Sequence, residues 1–348
     1  MRKKILMTFV LLAAGIFMSS QAFAAWTQAK GSAYNQLTLS YYKTTEKFTT
    51  LELDHEGTVT GRSGPIITND TEEFTSTKIN YYSEYGITDV LTVIFSVPYD
   101  WQKSNDVMKY TDVDGPSGVG DIKVGLRHKL VDNLVGTGVL MSAQVEVKIP
   151  EAYDHGDPVT ELSLGDGQYD YEFALKFGRG LGKGYAWIDT RYVYRDYNHQ
   201  HDPSYFKPSD KFKVGIGGGY AVASWLSIRG AVNWSKSIGN AVVNDDLIVD
   251  FYRAGKKSSH GDVVIIKEDL SLEGDSLSAG MDLAFDVSSL VPIFKETFPS
   301  KSIVLSYNRD IPGLGDFETK DSALGETWSI TFVFPGKGIF PINLFAQN

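Results

Sequence analysis

The chain has 348 residues, 42% of them hydrophobic and 13% aromatic, with 34 glycines, no cysteine and a formal net charge of −10. The acidic balance argues against a nucleic-acid partner, which would favour a basic face. The lack of cysteine excludes a disulfide framework and a thiol catalyst.

Arg2, Lys3 and Lys4, an apolar run from Ile5 to Met18 and then "SSQAFA" have the order of a signal peptide, with Ala22 and Ala24 as the small residues of the cleavage site. Residues 1–24 are expected to be removed, which takes the charge from −10 to −13 because three basic residues and no acid are lost. Beyond Ala24 no run approaches the roughly 18 apolar residues of a membrane helix, so a membrane crossing would have to be made by strands.

Alternation then recurs along the chain. "NQLTLSYYK" sets Leu37, Leu39 and Tyr41 against Gln36, Thr38 and Ser40, and "STKINYYSEYG" sets Ile79, Tyr81 and Tyr85 against Lys78, Asn80 and Glu84. "VLTVIFSVPYDW", "GVGDIKVGLRHKLV", "GVLMSAQVEVKIP", "GQYDYEFALKFG", "YAWIDTRYVYRDY", "DKFKVGIGGGY" and "WLSIRGAVNWS" continue the pattern. A segment at about 270–286, "KSIVLSYNRD" and "ETWSITFVF" complete twelve predicted strands. The gaps after the second, fourth, sixth and eighth strands are tight, whereas those at about 49–70, 103–117, 151–164, 199–208, 240–267 and 311–325 are longer and polar. The tenth gap, "VSSLVPIFKETFPSK", falls on the short side without being short.

Short and long connections in alternation describe an up-and-down meander. A soluble sandwich would need a very large second sheet to cover so many apolar faces. A closed barrel instead presents one parity to lipid and the other to its lumen, and it leaves no unpaired edge. The expected fold is therefore all-β: a transmembrane antiparallel up-and-down β-barrel of about 12 strands over residues 25–334, followed by a periplasmic tail, 335–348. An even strand count puts both termini on the turn side, the periplasm in outer-membrane barrels.

At "PSGVGDIKVGLRHKL" and "GDGQYDYEFALKFGRGLGKGYAWIDTRYVYRDYN" the chain resembles the MetA-pathway-of-phenol-degradation family of outer-membrane proteins, relatives of the fatty-acid-transporter-like barrels. The matching positions are Gly118, Gly120 and Asp121; Gly165, Gly167, Gln168 and Asp170; and Gly184, Tyr192 and Arg195. The resemblance implies a barrel through which small hydrophobic or aromatic compounds cross the outer membrane. Related transporters carry a long N-terminal hatch, but only about ten residues separate Ala25 from the first strand here, leaving no room for a plug domain. The lumen is then open, or closed by loops and lumen side chains, with 240–267 the best candidate for an infolded constriction.

The lumen parity carries Asp121, Lys123, Arg127, Glu146, Lys148, Asp170, Glu172, Lys176, Asp189, Arg191, Arg195, Lys211, Lys213 and Arg229. These charges can fill a small barrel as a cross-strand ladder, or line a path and set its selectivity. Asp170, Glu172, Arg191 and Arg195 fall on adjacent strands and are the expected cluster. "HQHD" at 199–202 lacks a third placed metal ligand. "NDD" at 244–246 and "DVDG" at 112–115 lack the ligands of a calcium loop and read as surface. Ser142 and Ser227 have no histidine on a neighbouring strand, and His128 falls on the lipid parity, so no catalytic constellation is visible.

The expected function is passive transport of small, hydrophobic or aromatic molecules by a monomeric outer-membrane channel, with no cofactor and no chemistry on the solute. The expected partners are outer-membrane lipid and lipopolysaccharide, the barrel-assembly machinery and the solute. The alternatives are a non-transporting surface or structural barrel and an outer-membrane hydrolase.

Overall fold

The fold is taken from a computed structural model that describes residues 25–53, 59–68, 72–106, 111–158, 161–198, 200, 202–253, 263, 266–267, 270–287, 302–314, 317–319 and 322–337. The expected signal peptide, His55, His199, His201, His260, most of the tenth gap and the end of the expected tail lie outside them.

Twelve strands form the wall. They are β1 (Ser32–Leu53), β2 (Glu72–Thr88), β3 (Leu91–Asp106), β4 (Ile122–Val131), β5 (Leu140–Ile149) and β6 (Asp170–Leu181). The second half comprises β7 (Gly184–Arg195), β8 (Asp210–Ala223), β9 (Leu226–Ile238), β10 (Ser276–Asp286), β11 (Ser302–Asp310) and β12 (Ser322–Lys337). Each pairs antiparallel with its neighbours in sequence, and β12 returns to β1 over a register running from Ser32 opposite Lys337 to Phe48 opposite Ser322. Every wall strand therefore has a partner on both sides, which removes the exposed edges that would template aggregation.

The two ends of the barrel differ. At the turn end, β6 and β7 are joined by Gly182 and Lys183 alone, and Gly182 has φ +64°, a left-handed backbone that glycine adopts without steric cost at the first position of a tight hairpin turn. At the loop end β1 to β3 are long, 22, 17 and 16 residues against 10 for β4, so this side of the wall continues beyond the rest. There Val59–Thr68 pairs with the end of β1 and Thr111–Val119 with the end of β3.

The segment expected as a long polar loop at 240–267 is partly structured. Val242–Val243 pairs with Phe206–Lys207, and a helix, α1 (Asp245–Arg253), follows. Asp245 and Asp246 occupy its first turn and Arg253 its last, each suited to the helix dipole. Leu247, Ile248 and Phe251 are buried with Phe206, Ala241, Ile266 and Leu272. The helix thus packs in a small apolar core with the connection between β7 and β8, and "NDD" is its N-terminal boundary.

The outer face explains the alternation. Leu37, Leu39, Val124, Leu126, Val145, Phe173, Leu175, Ile188, Ile216 and Leu305 are exposed although apolar, while interior-parity neighbours such as Ser142, Lys176 and Asp189 are buried. Rings flank this band. Toward the loop end Tyr41 stacks on Trp328 at 6.3 Å, Tyr307 lies 5.6 Å from Trp328, and Tyr99 is 4.6 Å from Trp101. Toward the turn end Trp225 stacks on Phe285 at 6.3 Å. Amphipathic rings at both rims suit the two water–membrane interfaces.

Candidate functional site: the barrel interior

The interior parity of β4 to β8 brings most of the expected charges together, because directly paired residues on neighbouring strands place their side chains on the same face. Asp170 lies opposite Arg195, Glu172 opposite Val193, Lys176 opposite Asp189, and Arg191 opposite Lys213. Arg191 reaches Glu172 at 3.1 Å and Asp189 at 2.6 Å, and Arg195 lies 3.6 Å from Asp170. Lys148 contacts Asp121 at 3.4 Å and Asp170 at 3.0 Å, while Lys123 pairs with Glu146 at 3.5 Å. Lys176 and Asp189 form an ion pair buried on both sides. Arg229 stands apart on β9, opposite Asp282 of β10.

Three interior carboxylates escape a pattern-based reading. Glu84 pairs with Arg127 at 3.0 Å, both nearly sealed from water. Glu84 shares the polar parity of Lys78, but its partner two strands away is decided only by the barrel's curvature. Asp282 is buried with neither carboxylate oxygen hydrogen-bonded among the described residues. Asp166, from the connection between β5 and β6, reaches Lys148 at 2.8 Å and Arg195 at 2.9 Å. These two cations, Lys148 foremost, hold the Asp166 carboxyl well below the usual carboxylate range. Beside it the Tyr153 hydroxyl donates to Asp121 at 2.6 Å and accepts from the Gly167 N–H at 3.0 Å. Burial, reinforced by the Asp121 charge, raises the Tyr153 phenol above its ordinary value.

A short N-terminal segment of the described chain enters the turn end. Residues 25–30 run back into the barrel: Ala25 is fully buried, and the Trp26 carbonyl accepts from Arg127 Nη1 at 2.8 Å. The Gln28 N–H donates to Thr92 Oγ1 at 2.8 Å, and Gln28 Nε2 donates to Glu84 at 2.8 Å. The Trp26 ring meets Tyr185 edge-on at 6.0 Å and lies against Gly178, where an added Cβ would come within 2.7 Å of ring carbon Cη2. Residues 25–30 thus occupy part of the interior at the turn end. The segment expected as an infolded constriction, 240–267, has α1 in a small core of its own with the β7–β8 connection.

The remaining expectations sort simply. His128 is exposed on the outer face. Ser142 is buried, with its hydroxyl unpartnered among the described residues. Among those residues no group of three or more histidines and carboxylates is arranged to hold a metal ion.

A closed barrel with an apolar band, aromatic rims and a charged interior is a transmembrane β-barrel of the outer-membrane type. Several solved structures are similar to it. An outer membrane channel of Pseudomonas putida F1 aligns over 91% of this chain and 100% of its own, with a TM-score of 0.62 at 11% identity. A FadL homologue of Pseudomonas aeruginosa aligns over 92% and 99%, with a TM-score of 0.42 at 11% identity. The P. putida toluene transporter TodX aligns over 89% and 91%, with a TM-score of 0.40 at 11% identity. No protein-family model and no curated protein sequence matches the chain. The first of these likenesses establishes the fold.

Proposed function

We propose that this chain is a monomeric outer-membrane channel for passive transport of small hydrophobic or aromatic molecules and belongs to the MetA-pathway-of-phenol-degradation family. In this reading the loop end faces outward and the turn end the periplasm. Lipid and lipopolysaccharide surround the apolar band, the assembly machinery reads the aromatic terminal strand, and no chemistry is done on the solute. The residues proposed to line the path are Asp121, Lys123, Arg127, Glu146, Lys148, Asp170, Glu172, Asp189, Arg191, Arg195 and Arg229.

One observation carries the reading. Lys78 and Lys123 lie on the interior parity of β2 and β4, yet their side chains are each 42% exposed. Solvent therefore reaches inside the wall at the loop-end half, which a packed core would not allow. At the turn-end half Thr92, Ser142, Lys176 and Asp189 are sealed, which favours a second reading, a non-transporting barrel.

Uptake by liposomes carrying the refolded chain separates the two. A small aromatic acid and a fatty acid should enter faster than a sugar of similar size, measured against empty liposomes. Uptake at the empty-liposome rate for all three would leave the non-transporting barrel in front.

A further inference from the structure

Lys211 and Lys213 are the two interior cations of the β4–β8 wall for which no ion-pair partner appears among the described residues. Both lie on the interior face of β8 near the loop end, with side chains about 7 Å apart along the strand, the span of two strand residues. Lys211 stands opposite Val193 and Ser237, and Lys213 opposite Arg191 and Ser235. The neighbouring carboxylates are engaged elsewhere: Asp166 with Lys148 and Arg195, Asp170 with the same pair, and Glu172 with Arg191.

Two further groups at this spot are unpartnered. Arg195 is 6% exposed and uses Nη2 and Nε for Asp166 and Asp170, leaving its buried Nη1 without a hydrogen bond. The Ser235 hydroxyl, opposite Lys213, is likewise buried and unpartnered. Lys211 is repelled by Arg195 and Lys213 and attracted by Asp166 and Asp170, and Lys213 is attracted by Glu172 and Asp170, none of these carboxylates being within ion-pair distance of either lysine. Like charges held together in a partly desolvated site favour the arrival of an anion.

The surface toward the turn end suggests what the anion carries. Gly215, Gly217 and Gly219 continue the interior face of β8 with no side chain, and rings fill the space they leave. An added Cβ at Gly215 would come within 3.0 Å of Trp187 Cζ3, and one at Gly219 within 2.8 Å of Tyr185 Cε1. Trp187, Tyr185 and Ala231 form one apolar cluster.

We propose that this part of the lumen is a binding subsite for a small aromatic carboxylate, its anionic end on Lys211, Lys213, Arg195 Nη1 and Ser235 and its ring toward the Trp187–Tyr185 cluster. The proposal rests on the channel reading and narrows it: the favoured solutes carry a negative end, which neutral hydrocarbons lack.

Calorimetric titration of the full chain in detergent reads the subsite without transport. Benzoate should bind saturably and benzyl alcohol, its neutral analogue, should not. Lys211→Gln and Lys213→Gln should each weaken benzoate binding by about tenfold or more, the loss expected for a charged hydrogen bond. Lys213→Arg keeps the charge and should retain binding, which guards against a glutamine variant that fails to fold. Equal heats from the two probes, or glutamine variants that fold and bind benzoate unchanged, would overturn the subsite. Liposome uptake of benzoate is scored separately. Uptake without saturable binding rejects the subsite and keeps the channel, whereas saturable binding without uptake keeps the subsite and rejects the channel.

Discussion

Lys176 and Asp189 face one another in direct register across β6 and β7, forming an ion pair with 3% and 1% of their side-chain surfaces exposed. Asp189 has a second cation, Arg191, bound through both Nε and Nη2. The two partners are therefore unequal. Lys176→Met leaves Asp189 satisfied by Arg191, while Asp189→Ala strands a buried ammonium. Removing one partner of a buried pair costs about 3–5 kcal/mol when the charge left behind has no other partner. Urea unfolding in lipid vesicles should show that cost for Asp189→Ala and a clearly smaller one for Lys176→Met. Equal losses would mean that Arg191 does not compensate.

Trp26 lies at the turn end against Gly178 and Tyr185. If it limits flow, Trp26→Gly should at least double single-channel conductance. Gly178→Ala should raise conductance in the same direction, because its methyl group would displace the ring while leaving Trp26 in the chain. Conductance unchanged in both variants would place the constriction elsewhere.

Asp166 ties the connection between β5 and β6 to the wall through Lys148 and Arg195. Its pKa is depressed in the folded state, so the stabilisation is fully present above the unfolded carboxylate value of about 3.9 and is lost as pH falls through the lower folded value. A spin label at Glu161 should remain immobilised at pH 5 and gain mobility only under more acidic conditions. Asp166→Asn should mobilise it at neutral pH. Release of the label in the wild type near pH 6 would assign the latch to another group.

Leu39 lies within the apolar band, paired with Ile330 and Ile79, whereas Trp328 belongs to the rim toward the loop end. Arginine on the lipid face costs about 2–4 kcal/mol at the membrane midplane and about 0–1 near the interfaces. Leu39→Arg should therefore destabilise the barrel in lipid vesicles far more than Trp328→Arg. Equal effects would contradict the assignment of this band to the membrane centre.

The wall was legible because its signals are local. Alternation in "GVGDIKVGLRHKLV" reports two faces, and the observed β4 exposes Val124 and Leu126 while burying Gly125 and Arg127. The tight connections of "GITD" and "RGLGK" report neighbours that pair. The cluster of Asp170, Glu172, Arg191 and Arg195 could be anticipated from parity plus strand adjacency alone.

The rest depended on distance. The link between Glu84 and Arg127, Asp166 reaching back from a loop, and Trp26 turning into the mouth join residues whose proximity no periodicity encodes. The helix at Asp245–Arg253 was missed as well, since nine residues that bury only Leu247, Ile248 and Phe251 give a weak helical pattern inside a polar stretch.

By itself the sequence determined the twelve wall strands, their order and their two faces, because a strand's period of two and the cost of an unpaired backbone in lipid act residue by residue. Only the tertiary structure decided which charges meet, which remain unpaired and where residues 25–30 lie. Closure of the wall sets those distances, and electrostatic and packing energies depend on distances in space that the order of residues along the chain leaves open.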